Sequence, residues 1–180
     1  MFYSHRMTAA RAAACLLALL LLAGCTKSED QRRFEREATT PPSNYTARNA
    51  QGHLVNEQED PDDWRIGPMF SGILEVEISA FPNPVSPNQQ VRILLQITTS
   101  TGMGSLSGLD VYAFRETFDN ITTSLYYRSG SEIEPGLHTI TLSADQFHRS
   151  GVGVSSLYRI LIYDDSMQGN LITYGDVQVE

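Results

Sequence analysis

Apolar and polar residues alternate along most of the chain from Ser71 onward, in short runs separated by turn-forming residues. The clearest run is QVRILLQI at 90–97. Alternation with a period of two is typical of a strand that has one buried face. We therefore expect Arg92 and Gln96 to point away from a core. The aliphatic side chains predicted to enter that core are Val91, Ile93, Leu95 and Ile97.

Seven such runs are present, and clusters rich in Gly, Ser, Pro, Asn and Asp separate them. The predicted strands lie at 74–78, 91–99, 109–115, 121–128, 137–142, 157–163 and 171–179. No segment has a convincing helical period, although the connection at 143–156 could hold one helical turn. Many short strands with turn signals between them predict an all-β fold, an antiparallel β-sandwich of about seven strands.

Three prolines fall within six residues just before the second strand, at Pro82, Pro84 and Pro87. Proline cannot donate to a sheet hydrogen bond, so these residues predict a connection rather than a strand. Each residue before a proline is also restricted to extended geometry. A stiff connection of this kind predicts a chain that passes from one sheet to the other.

The first 24 residues have the pattern of a secretory signal peptide. Arg6 and Arg11 precede an apolar run at 12–23, which is shorter than the roughly 20 residues of a membrane span. The run ends in LAGC at 22–25, which resembles a bacterial lipobox. The resemblance implies cleavage between Gly24 and Cys25 and acylation of Cys25. An uncleaved anchor and an ordinary signal followed by a chance cysteine are the alternatives.

Residues 25–63 differ in composition from the rest of the chain. They are rich in charged and polar residues and lack strand alternation, which predicts a flexible tether ahead of a domain at 64–180. A short helix in DQRRFERE would be marginal by itself. Lys27, Glu29 and Asp30 directly follow the lipobox and resemble the surface-export signal of Bacteroidetes-type lipoproteins. The alternative is that they are ordinary residues of a solvated tether.

Charge and cysteine content narrow the class of protein. Without Arg6 and Arg11, 11 basic residues remain against 21 acidic ones, a net charge of about −10. This excess argues against nucleic acid and against charge-driven binding to anionic lipid. The two cysteines are Cys15, inside the signal, and Cys25. A processed chain therefore has no thiol left for a disulfide or a cysteine-ligated metal.

The segment FPNPVSPNQQVRILLQI at 81–97 resembles the start of the Ig-like modules of flagellar-hook-capping proteins and type IX secretion C-terminal sorting domains. PGLHTITLSADQF at 135–147 and SSLYRILIYD at 155–164 extend the resemblance to about residue 179. It implies an Ig-like fold. The chain lacks the Asp-x-x-Gly-Arg turn of sorting domains and ends in GDVQVE without basic residues, which favours a stand-alone lipoprotein.

Candidate chemistry in the sequence is sparse. No histidines stand at metal-ligand spacing, and no Gly-x-Ser-x-Gly elbow is present. His138 on a predicted strand is interpreted as structural. Asp164, Asp165 and Asp176 raise a calcium hypothesis, but an ordinary polar turn explains them better. We therefore expect no catalytic residues, no metal and no cofactor.

Aromatic side chains offer one candidate binding surface. Tyr112 and Phe114 share a face of the third predicted strand and could contact sugar or peptide. The alternative is a central third strand that is covered on both faces, with Trp64, Met69 and Phe70 folding back over it.

These observations favour a non-catalytic, lipid-anchored protein of the bacterial cell envelope, an interaction or structural module. Its lipid would lie in the outer membrane, with surface exposure as a further expectation, and an envelope protein would be its partner. The alternatives are a component or cargo-like protein linked to type IX secretion, and a carbohydrate-binding module.

Overall fold

A computed structural model describes residues 27–55, 59–98, 106–147, 156–166 and 169–180. The predicted signal peptide, with Gly24 and the acylation site Cys25, lies outside the described residues. Among the described residues, no helix is long and apolar enough to cross a membrane.

The described residues form seven strands in two antiparallel sheets that face each other, which confirms the predicted all-β sandwich. The strands are β1 (Leu74–Phe81), β2 (Gln90–Ile97), β3 (Gly108–Phe114), β4 (Tyr126–Ser129), β5 (Gly136–Ser143), β6 (Ser156–Asp164) and β7 (Asn170–Val179). The smaller sheet has the order β1-β2-β5 and the larger sheet β4-β3-β6-β7, an Ig-like arrangement. The helices are α1 (Glu29–Ala38) and the single turn α2 (Ala144–Phe147).

The inner faces of the two sheets form the main core. On β2, the four side chains predicted to face inward are fully buried, whereas Arg92 is exposed and Gln96 is half-buried. The larger sheet contributes the alternate positions of β3 and β6, among them Val111 and Ile160. The register predicted for β2 is therefore confirmed.

The proline segment does not pass between sheets, so that prediction is wrong. β1 and β2 pair with each other in the smaller sheet. Between them the chain reaches across to β7, where the Val85 amide donates to the Gln178 carbonyl at 2.9 Å and Val85 accepts from the Glu180 amide at 3.0 Å. The proline-rich connection thus covers part of the β7 edge, which would otherwise present unpaired main-chain groups.

Several strands differ from their predicted bounds, and the largest difference is at β4. The strand predicted at 121–128 begins only at Tyr126, after a 3-10 turn at 118–120 and a stretch without regular structure. β7 runs through Gly175 without interruption. The ring of Trp64 lies so close that a Cβ at position 175 would come within 2.2 Å of it, so the glycine marks a close contact.

Helix α1 packs on the outer face of the larger sheet. Its residues belong to the segment for which the sequence predicted a flexible tether. Its start is capped by Ser28, whose hydroxyl accepts the Gln31 amide at 3.1 Å. Phe34 and Ala38 are 6% and 1% exposed, and they contact apolar residues of β3, β6 and β7. Burial of this small apolar face provides the stability that the isolated helix would lack.

The chain after α1 stays on the sandwich where the structure describes it. The Arg48 amide donates to the Asn83 carbonyl at 2.8 Å, and the Arg48 carbonyl accepts the Asn83 amide at 2.9 Å. The Trp64 and Gly67 amides donate to carbonyls of β7, at Tyr174 and Ile172, each at 2.7 Å. Much of the segment predicted as a tether is therefore part of the folded body.

Candidate functional site

The outer face of the larger sheet has a covered part and an open part. Helix α1 covers the part formed by Phe114, Leu161, Leu171 and Tyr174, which are all buried. Tyr112 on β3 and Tyr163 on β6 lie beside the covered part and are only half-buried. The open part is a groove of about 290 Å³, here called the outer-face groove. Its lining residues are Asp110, Tyr112, Phe118, Ile121, Tyr163, Asp164, Asp165, Ser166 and Gly169.

Two tyrosine rings stand side by side in the outer-face groove. The centroids of Tyr112 and Tyr163 are 6.0 Å apart, and the ring planes meet at 78°. An edge-to-face pair of this kind is a favourable aromatic contact. The two rings are therefore nearly perpendicular and do not form a flat platform.

Carboxylates flank these rings. The Tyr112 hydroxyl donates to Asp110 at 2.6 Å, and the Ser124 hydroxyl donates to the other oxygen of the same carboxylate. The Tyr127 hydroxyl donates to Asp165 at 2.8 Å. The hydrogen bond to Asp110 raises the pKa of Tyr112 to about 12, with burial and the charge of Asp165 acting in the same direction. Asp110 and Asp165 thus place negatively charged groups beside the rings.

One wall of the groove is apolar. Phe118 and Ile121, in and next to the 3-10 turn between β3 and β4, are each 36% exposed. Phe118 is held by an edge-to-face contact with Phe114, at 5.8 Å between centroids. The two side chains therefore present apolar surface at the edge of the groove.

A second polar cluster joins the sandwich to the N-terminal segment. Arg159 on β6 forms two hydrogen bonds to Asp176 on β7, at 2.7 and 2.8 Å. The two oxygens of Asp63 accept the main-chain amides of Thr46 and Asp176, each at 2.9 Å. Burial, followed by the charge of Asp176, raises the pKa of Asp63 to about 7. The bond from the Asp176 amide to Asp63 ties residues 27–64 to the sheet, while the other contacts brace the two sides of this junction, so we interpret the cluster as structural.

The two aromatic candidates from the sequence have different environments. Tyr112 lines the outer-face groove, whereas Phe114 is 1% exposed beneath α1 and is not accessible to a ligand. The alternative of a central, covered third strand is correct for Phe114. The cover is α1, since Trp64 and Phe70 belong to the core between the sheets.

The candidate export-signal residues occupy the start of α1. Lys27 forms an ion pair with Glu35 at 2.8 Å and donates to the Gly169 carbonyl at 3.3 Å. Glu29 and Asp30 lie in the first helical turn, where negative charge is favourable. These contacts give all three residues a structural role, and the export signal stays a prediction.

The three aspartates of the calcium hypothesis do not come together. Asp176 pairs with Arg159, while Asp164 is buried and accepts the Ser107 amide at 2.6 Å. No cluster of three or more potential metal ligands occurs among the described residues. His138 contacts Arg128 at 3.0 Å and the Glu134 carbonyl at 2.6 Å, in keeping with the structural interpretation.

Most groove residues were not singled out from the sequence. Tyr163 lies at the end of a predicted strand. Phe118 lies in a predicted connection, and Ile121 lies at the start of the predicted strand 121–128, whose first residues are not in a strand. A usable signal was present on β3, where Asp110 and Tyr112 lie two residues apart and so share a face.

No protein-family model matches the chain, and no curated protein matches it. Among solved structures, a β-glucosidase of Listeria innocua matches at 15% identity and TM-score 0.40, covering 59% of this chain and 15% of its own. A superoxide reductase (neelaredoxin) of Ignicoccus hospitalis matches at 17% identity and TM-score 0.37, covering 63% and 89%. The chain spans about a sixth of the glucosidase. Likenesses at these TM-scores carry no argument about function.

Proposed function

We propose that this protein is a non-catalytic binding module of the bacterial cell envelope, held on the outer membrane by lipid at Cys25. The observation that carries the binding role is the outer-face groove. Helix α1 covers one part of a sheet face, and the other part keeps two half-buried tyrosines between carboxylates and exposed apolar residues. A concave surface of this mixed character is the usual form of a ligand or partner site.

The buried titratable groups near the N-terminal segment have contacts that support a structural role for them. Asp63 has a pKa near neutrality, a value that would suit a general base. However, its two oxygens accept the main-chain amides of Thr46 and Asp176, so this carboxylate holds the N-terminal segment against the sheet. The Arg159–Asp176 pair is likewise occupied in holding the N-terminal segment.

The lipid anchor is supported by the LAGC motif at 22–25 and by the position of the residues that follow it. Lys27 is bound to the body through Glu35 and Gly169. Two residues span at most about 7 Å. An acylated Cys25 would therefore hold the sandwich close to the membrane, with the β6–β7 turn on the membrane side.

Metabolic labelling with an alkyne fatty acid tests the anchor. The wild-type protein should carry the label and sediment with membranes, and Cys25→Ser should lose both properties. Cys15→Ser is the matched control, since it removes the other cysteine but should leave acylation unchanged. Labelled, membrane-bound Cys25→Ser protein would refute the proposed anchor.

Carbohydrate binding is the second candidate, favoured by the half-exposed ring of Tyr112 in the groove. The 78° angle between Tyr112 and Tyr163 is against it, because sugar rings stack on flat aromatic surfaces. The link to type IX secretion rests on the sequence resemblance between residues 81 and 179 alone.

A further inference from the structure

The chemistry of the outer-face groove indicates what kind of group it receives. Asp110 and Asp165 place carboxylates around the tyrosine rings, and no lysine or arginine is among the lining residues. Lys27, which donates to the carbonyl of the lining residue Gly169, is already paired with Glu35. An anion would therefore be repelled, whereas a cation would gain from both the carboxylates and the rings.

We propose that the outer-face groove binds an arginine side chain from an exposed segment of a protein partner, with its guanidinium between the tyrosines and the carboxylates of Asp110 and Asp165. The inference rests on the proposed binding role and names the partner's chemistry. Charge complementarity selects a basic group. Arginine fits better than lysine because a planar guanidinium stacks on aromatic rings while its several donors reach separate carboxylates.

The geometry of the carboxylates supports this assignment. The hydroxyl of Tyr112 holds Asp110 at 2.6 Å and that of Tyr127 holds Asp165 at 2.8 Å, so both acceptors are fixed before a ligand arrives. Each carboxylate has further lone pairs beyond these bonds. Pre-organised acceptors lower the ordering cost of binding.

The apolar wall points to a protein segment rather than a free small cation. Phe118 and Ile121 present exposed apolar surface beside the charged floor. The groove volume of about 290 Å³ is large enough for one long side chain of the partner and part of the residue next to it. Arginine and aromatic residues are also the side chains most often found at the energetic centres of protein interfaces.

The test uses the purified full chain in neutral detergent and a pair of peptides. The probe is acetyl-Gly-Phe-Arg-Leu-Gly-amide, and its control carries citrulline, a neutral isostere, in place of arginine. Calorimetric titration should give binding about tenfold tighter for the arginine peptide, the value expected for a charge-assisted hydrogen bond. Equal affinity for the two peptides, or no binding of either, would overturn the inference.

Variants locate the binding site. Asp165→Asn should weaken binding of the arginine peptide about tenfold and leave binding of the citrulline peptide unchanged. Glu75→Gln removes the same charge from an exposed position on β1 and should have no effect on either peptide. If both variants weakened binding equally, the peptide would be held by general charge attraction, and binding in the groove would be refuted. Asp165 is exposed, so its replacement avoids the folding defect that Asp110→Asn risks.

The same titration separates this inference from the anchor. Cys25→Ser should bind the arginine peptide as tightly as the wild type, because the groove lies on the sandwich. A chain that is acylated but does not bind the peptide refutes the arginine site alone. A chain that binds the peptide but is never acylated refutes the anchor alone.

Discussion

Arg159 and Asp176 form a bidentate ion pair on the outer face of the larger sheet, and their side chains are only 8% and 2% exposed. The same guanidinium donates to the carbonyls of Glu37 and Thr40, at 3.3 and 3.2 Å, just where helix α1 ends. Its centre lies 5.0 Å from the ring of Tyr174. One side chain thus joins two strands of the sheet to the N-terminal segment.

Removing one partner of this pair should be costly. Asp176→Ala leaves a buried guanidinium without its counter-ion, and we expect the free energy of unfolding to fall by about 3–5 kcal/mol. Denaturant titration measures the loss. Arg33→Ala, which breaks the exposed pair with Asp30, is the control and should cost no more than about 1 kcal/mol. Equal losses would contradict the buried role of Arg159 and Asp176.

The stability of the protein should depend on the ionisation of Asp63. Its pKa is about 7 in the folded state, against an ordinary value of 3.8, so the folded state holds the proton more tightly than the unfolded state does. Its contribution is therefore greatest below pH 3.8 and is lost as the pH rises through 7.

Denaturation of the wild type and of Asp63→Asn at several pH values measures this contribution. Relative to Asp63→Asn, the wild type should lose free energy of unfolding as the pH rises from about 4 to about 7. Above pH 7 the difference between the two proteins should stay constant. A difference that stays constant over this range would contradict the raised pKa.

The sandwich itself could be predicted because its core follows a local pattern. On β2 each side chain that the alternation placed inside is fully buried. The path of the proline segment could not be predicted in this way. Its position on β7 depends on main-chain pairing between Val85 and Gln178, residues far apart in sequence.

Replacing Ile93 tests the inward face of β2. Ile93→Ala should lower the free energy of unfolding by about 2–5 kcal/mol, because it leaves a cavity between the sheets. Gln96→Ala, on the opposite face, should cost about 0.5 kcal/mol. Equal shifts of the denaturant midpoint would contradict the assigned register.

The contact between Trp64 and Gly175 gives a further prediction. A methyl group at 175 would lie 2.2–2.4 Å from indole atoms, so Gly175→Ala should displace the ring and destabilise the protein by about 1–3 kcal/mol or more. Trp64 is the only tryptophan in the chain, so its fluorescence reports the displacement directly. An unchanged emission maximum and an unchanged stability would contradict this contact.

Helix α1 escaped prediction for a physical reason. Its sequence is mostly charged, and only Gln31, Phe34 and Ala38 are buried. The Gln31 side chain donates to the Leu171 carbonyl at 2.9 Å, a partner 140 residues away. Composition therefore indicated a tether, while the contacts that fix the helix lie on distant strands. The groove was also missed for this reason, because strand β3 and the turn before β4 form it together with strand β6, which is distant from them in sequence.

The central claim of this account is that the N-terminal segment docks on the sandwich and bounds the open groove. Hydrogen–deuterium exchange of the full chain tests it at the amides of residues 32–38, with Phe34→Ala as the variant that should undock the helix. The account predicts that these amides exchange far more slowly in the wild type than in Phe34→Ala. Fast exchange at these amides in the wild type, equal to that of the variant, would show that the segment is a tether and contradict the account.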